Sequence, residues 1–170
     1  MEFNRRRSLI ISSFIVSLIL IITLVVMKRF FITFEMKGIS MNPVYNENDL
    51  LMVLKTKDIK IGDVIAYQTE DGAYIIKRVI ALPGQSVVID DDDKIYIDGE
   101  LFESSYIHID RDTESYAGGM SYDLADDEYF VLGDNLHHSI DSRATGPVKA
   151  EKITGKVVYN FAGIFSKLRK

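Results

Sequence analysis

A serine in a turn bounded by glycine and proline, a lysine on an apolar strand, and a Gly-Asp-Asn segment farther on are the groups best suited to chemistry in this chain. There is no cysteine, and the only histidines are His108, His137 and His138. Thiolate nucleophiles, disulfides and Cys-ligated metals are therefore excluded. Ser40 lies in Gly38-Ile39-Ser40-Met41-Asn42-Pro43, where Gly38 permits unusual dihedrals and Pro43 stiffens the exit. Such a serine is either a turn former or a nucleophile. Lys77 lies in Tyr74-Ile75-Ile76-Lys77-Arg78-Val79-Ile80. Side chains alternate along a strand, so Lys77 shares a face with Ile75 and Val79, while Arg78 points the other way. A lysine on an apolar face is either snorkelling, salt-bridged, or a desolvated base.

The third segment runs Gly133-Asp134-Asn135-Leu136-His137-His138-Ser139-Ile140-Asp141-Ser142-Arg143. Together with G-x-S-M-x-P at 38–43, G-D-V at 62–64 and K-R-V-I-A-L-P-G at 77–84, it resembles the type I signal peptidases, the bacterial leader peptidases. The likeness is to their short Gram-positive form and covers nearly the whole chain. It implies Ser40 as nucleophile, with its own backbone N–H as an oxyanion donor, and Lys77 as general base. It places the Ser139 hydroxyl against that lysine and gives Asp141 and Arg143 a supporting ion pair. Gly133, Asp134 and Asn135 form a supporting turn. Gly38 stands where Gram-negative members carry a serine that helps hold the oxyanion. Val44 replaces the usual threonine, and Leu136 a common arginine.

A serine hydroxyl needs a base to take its proton, and a neutral lysine amine can do so. Lysine titrates near 10.4 in water, so work near pH 7–8 requires its pKa to fall by roughly 2–3, or about 3–4 kcal/mol. Burial beside Ile75 and Val79 can supply that. A carboxylate at the amine would oppose it, so neither Asp134 nor Asp141 is expected to approach Lys77. A Ser-His-Asp triad using His137 or His138 is the competing arrangement.

The elements that must position these groups read as β. Candidate strands are 32–37, 49–55, 63–68, 74–82, 86–89, 94–97, 129–132 and 153–161, short and rich in Val, Ile, Tyr and Phe. Residues 103–128 look like an acidic surface excursion. The run Asp90-Asp91-Asp92-Asp93 lacks the glycine and distal glutamate of a calcium loop and fits a hairpin turn. The resemblance implies a mainly β, antiparallel, barrel-like Ser-Lys protease domain over 30–170, with a small β insertion spanning 85–127. It also implies that an extended substrate adds as a strand between Phe34-Glu35-Met36-Lys37-Gly38 and Gly72-Ala73-Tyr74-Ile75-Ile76. Small pockets there would favour Ala-x-Ala before the cut.

Residues 9–27 contain no charged side chain and are long enough to span a bilayer; residues 1–8 form a short N-terminal segment that contains Arg5-Arg6-Arg7. A cleaved signal would have a shorter apolar run and a small-residue cleavage site, neither of which is present. The arginine cluster outweighs Lys28-Arg29 and favours a cytoplasmic N-terminus, with the remainder outside the plasma membrane. Five Lys/Arg and one Glu give residues 1–29 a charge of +4; the chain's −5 leaves −9 for residues 30–170. That balance disfavours nucleic acid as a partner. The expected partners are exported preproteins and the lipid bilayer, with no cofactor and no metal. The alternative is an inactive, membrane-tethered assembly factor of the same fold. A self-cleaving Ser-Lys repressor would need an Ala-Gly bond before the dyad, and both such pairs (Ala117-Gly118, Ala162-Gly163) follow it.

Overall fold

The computed structural model describes residues 2–106 and 119–162. His108, Gly118 and residues 163–170 lie outside them. The chain divides into two compact units, residues 1–32 and 33–170.

The first unit is mostly one helix, α1 (Glu2–Phe30). Its segment Leu9–Phe30 is 22 residues with mean hydropathy 3.0, none of it buried by protein. At about 1.5 Å per residue such a segment reaches roughly across a hydrocarbon core. The Thr23 hydroxyl donates to the Ile19 carbonyl at 2.9 Å, so this polar group is satisfied within the helix.

The second unit is built from two antiparallel sheets. Strands β1 (Phe31–Glu35), β2 (Leu50–Leu54), β3 (Val64–Gln68), β4 (Tyr74–Ala81), β9 (Glu128–Leu132), β10 (Val148–Lys149) and β11 (Ile153–Asn160) form one, in the order β1-β2-β11-β3-β4-β9-β10. The other contains β5 (Ser86–Ile89), β6 (Ile95–Ile97), β7 (Glu100–Leu101) and β8 (Met120–Asp123), ordered β7-β6-β5-β8. The mainly antiparallel β reading holds, but the barrel does not close: β1 and β10 are free ends of the larger sheet.

The excursion proposed for 103–128 contains a strand that sequence reading did not assign. β8 pairs with β5 through Val87↔Tyr122 and Ile89↔Met120. Tyr122 packs against Phe130 with ring centroids 5.1 Å apart, which draws this acidic stretch onto the core. The Asp90–Asp93 run does turn β5 into β6: the Asp90 N–H donates to the Lys94 carbonyl at 3.0 Å.

β4 is the strand that matters most for the site. From Ile76 to Ala81 every residue is buried. Val79 belongs to a core with Ile65, Tyr67, Val131 and Val148. Ile80 and Ala81 belong to another with Val87, Phe130 and Leu132. Because both faces of β4 are covered, alternation exposes neither Lys77 nor Arg78: they are 4% and 5% exposed. Each cation must find a partner or lose its charge.

Candidate active site

Ser40 sits in the turn beyond β1. Gly38 enters that turn at φ +72°, where a side chain would be strained, and its N–H donates to Glu47 Oε1 at 3.3 Å. Pairing of Met36 with Asp49 and Asn48 through backbone hydrogen bonds of 2.8 and 2.9 Å fixes the approach. The Ser40 N–H makes no hydrogen bond among the described residues.

Ser40 Oγ lies 2.7 Å from Lys77 Nζ. The ammonium would donate to the hydroxyl; the neutral amine would accept its proton. Lys77 Nζ also donates to the Ile76 carbonyl at 3.2 Å. Lys77 faces Ile65 across the strand pair. Burial lowers its pKa from 10.5 to about 8; Asp141 and Asp134 oppose that fall, and Arg143 adds to it.

Neither carboxylate hydrogen-bonds to the amine, because each is held by an arginine. Arg78 Nε and Nη2 donate to Asp134 Oδ1 and Oδ2 at 2.7 and 2.6 Å. Arg143 Nε and Nη2 donate to Asp141 Oδ1 and Oδ2 at 2.8 and 2.9 Å. Both pairs are buried. Asp141 is therefore no surface partner of incidental value. It also accepts the Gly133 N–H at 3.0 Å and caps the short helix α2 (Ser142–Thr145).

The Gly133-Asp134-Asn135 turn clamps the serine loop. The Asn135 N–H donates to the Ser40 carbonyl at 3.0 Å, and Asn135 Nδ2 to the Ile39 carbonyl at 3.3 Å. A Cβ at Gly133 would stand 2.2 Å from Ser139 Oγ and 2.6 Å from the Ser40 carbonyl oxygen. Only glycine allows this approach.

One expected contact is missing. Ser139 Oγ is buried but makes no hydrogen bond, to Lys77 or to any other of the described residues. Its chain is close, as the Gly133 packing shows, but the hydroxyl does not orient the amine in this arrangement. The competing triad is also not assembled: Ser40 Oγ pairs with Lys77, not with an imidazole.

A groove of about 360 Å³ opens at the pair, between residues 34–40 and 74–77, with His138 and Ile140 on its rim. β4 pairs with β3 from Tyr74 to Arg78 but with β9 only from Arg78 onward, leaving the Tyr74–Lys77 edge open on the β9 side. Phe34 and Tyr74 meet with ring centroids 4.8 Å apart. Phe34 through Gly38 and Tyr74 through Ile76 line the groove. Gly72 and Ala73 do not; they form the β3–β4 turn, where the Thr69 N–H donates to the Ala73 carbonyl. Sequence reading also missed Arg78, whose strand position opposite Lys77 was the available sign that it needed a buried anion. Its guanidinium additionally covers the Tyr106 ring, 4.4 Å from the centroid.

The arrangement is that of a hydrolase with a serine, a buried amine and an open strand edge. The family model "Signal peptidase, peptidase S26" matches residues 7–162. Signal peptidase I V of Bacillus subtilis (strain 168) is 31% identical over 160 residues, covering 84% of this chain and 92% of that protein. Signal peptidase IB of Staphylococcus aureus (strain N315) is 28% identical over 159 residues, covering 82% and 83%. A crystal structure of a signal peptidase I from Enterococcus faecalis V583 aligns with TM-score 0.52 at 28% identity, over 59% of this chain and 97% of that one. The chain belongs to the signal peptidase family, peptidase S26. It is a serine peptidase, and removal of signal peptides is its reaction.

Proposed function

We propose that cleavage proceeds by acyl transfer to Ser40, with the neutral amine of Lys77 as general base. The observation that carries this reading is the 2.7 Å contact between Ser40 Oγ and a lysine whose pKa burial brings down to about 8. Near that pH an appreciable fraction of the amine is unprotonated and can take the hydroxyl proton as Oγ attacks the scissile carbonyl. The Ser40 N–H, which has no hydrogen-bond partner among the described residues, is the proposed donor to the oxyanion. Lys77 then returns its proton to the leaving amine, and water, activated by the same base, releases the acyl chain.

The substrate adds as a strand along the open Tyr74–Lys77 edge, its backbone satisfying groups that β9 leaves unpaired. The Phe34–Tyr74 ring contact narrows one side of that path, which supports small residues at alternate positions before the cut. The substrates are thus exported preproteins with Ala-x-Ala-type sites. α1 spans the lipid bilayer, with its arginine-rich end cytoplasmic and residues 33–170 outside the plasma membrane; tethering raises the effective concentration of membrane-bound preproteins. Ser139 remains a candidate positioning residue, through its packing against Gly133 rather than through a bond to Lys77.

Cleavage of a preprotein by wild type, Ser40→Ala and Lys77→Ala tests the dyad. Release by wild type alone is expected. Release by either variant at a comparable rate would remove that residue from the mechanism.

A further inference from the structure

Each nitrogen of the Arg78 guanidinium has a hydrogen bond. Nε and Nη2 donate to Asp134, and Nη1 donates to the Gly62 carbonyl at 2.8 Å. Hydrogen bonds lie in the plane of the group and leave its flat faces bare. One of those faces is covered by the Tyr106 ring, whose centroid lies 4.4 Å from the guanidinium carbon. Tyr106 comes from a different part of the fold, five residues beyond β7. Its approach is fixed in two places. The Phe102 N–H donates to the Ile95 carbonyl at 2.7 Å, and its side chain packs on the core that holds Ile80 and Leu132. The Tyr106 N–H donates to Ser104 Oγ at 3.2 Å. The smaller sheet thus brings an aromatic ring to the ion pair beneath the active site.

We propose that Tyr106 is a positioning residue for the cleavage reaction: its ring holds Arg78 on Asp134, and so holds the turn that sets Ser40 against Lys77. The assignment rests on the Ser40–Lys77 reading above. A guanidinium over a ring face is attracted electrostatically, and more strongly where water is excluded. The ring also shields a buried ion pair whose strength depends on that exclusion. Asp134 lies between two residues that touch the serine loop. The Asn135 N–H donates to the Ser40 carbonyl at 3.0 Å, and a Cβ on Gly133 would stand 2.6 Å from the same oxygen. Slack at Asp134 therefore passes straight to Ser40. Tyr106 does not line the substrate groove. Its loss should act on turnover and leave substrate affinity alone. Because Tyr106 is 50% exposed, the fold should tolerate substitution there.

The test uses the full chain in detergent and one preprotein. Turnover and KM are measured for wild type, Tyr106→Phe, Tyr106→Leu and Lys77→Ala, with folding checked by circular dichroism. Tyr106→Phe keeps the ring face and should hold kcat within about twofold of wild type. Tyr106→Leu keeps apolar bulk without the ring and should lower kcat about tenfold, with KM within about twofold. Equal kcat in the Leu and Phe variants would overturn the assignment, because packing alone would then explain it. So would a change confined to KM, or an unfolded Tyr106→Leu beside a folded Tyr106→Phe. Lys77→Ala separates the two levels. If it is inactive while Tyr106→Leu works at the wild-type rate, the role of Tyr106 alone fails. Cleavage that persists in Lys77→Ala defeats the dyad reading itself.

Discussion

Lys77 and Arg78 are neighbours in β4, equally buried, yet only Arg78 is matched with a carboxylate. Asp134 grips the guanidinium with both oxygens, at 2.7 and 2.6 Å, while Lys77 Nζ meets the Ser40 hydroxyl and the Ile76 carbonyl. The alternation of a strand sends the two cations to opposite faces and the arginines take the nearby anions. Lys77 is left desolvated beside a neutral hydroxyl, the setting that supports its proposed role as a base.

That setting fixes a pH profile. Cleavage should rise with pH along a limb centred near 8, where Lys77 loses its proton, and fall about tenfold per pH unit below it. His137→Ala and His138→Ala should keep this limb. A limb near 6.5 that vanishes in either variant would establish a histidine base.

The same group makes stability depend on pH. Lys77 titrates near 8 in the folded chain and near its usual 10.5 when unfolded, so the unfolded chain binds more protons between those values. The penalty is full below about pH 8 and fades as pH rises towards 10.5. Lys77→Met should remove it, worth about 3 kcal/mol less the lost hydrogen bonds. Urea unfolding should therefore show the variant's advantage over wild type shrinking across that window. An advantage that is constant with pH would contradict a desolvated amine.

Asp134→Asn should be far more damaging than a surface charge change. It leaves Arg78 buried without its anion, at a cost of about 3–5 kcal/mol in chemical denaturation. A loss below about 1 kcal/mol would mean that the pair is not buried in solution.

Gly133→Ala should affect catalysis more than fold. The new methyl collides with Ser139 and with the Ser40 carbonyl, and a displacement of the serine loop by about 1 Å would lower turnover on the order of a hundredfold. Near wild-type kcat in this variant would show that the clamp does not set the position of Ser40.

Much of this architecture is legible in the residues. Every strand with a long β-branched or aromatic run, β4 above all, can be found from alternation. β8 could not: its apolar residues, Met120 and Tyr122, are too few to signal a strand, and it forms because β5 offers a free edge. β7 and β10, two residues each, exist only as partners of β6 and β9. Ser40 and Lys77 were visible as unusual residues in their local settings. The match between Arg78 and Asp134 was not, because it depends on the register of β4 with β9 across a separation of 56 residues. The Ser139 hydroxyl shows the opposite failure. A motif can place a residue in a loop, but the direction of one C–O bond is decided by packing against Gly133.

The most direct measurement is the rate of signal-peptide release from a preprotein by the detergent-solubilised full chain, comparing wild type with Lys77→Ala above pH 8. Wild type should cleave at a single site, and the variant should be slower by about two to four orders of magnitude, the contribution expected of a general base. Comparable cleavage by a folded Lys77→Ala enzyme would contradict the lysine base on which the account depends.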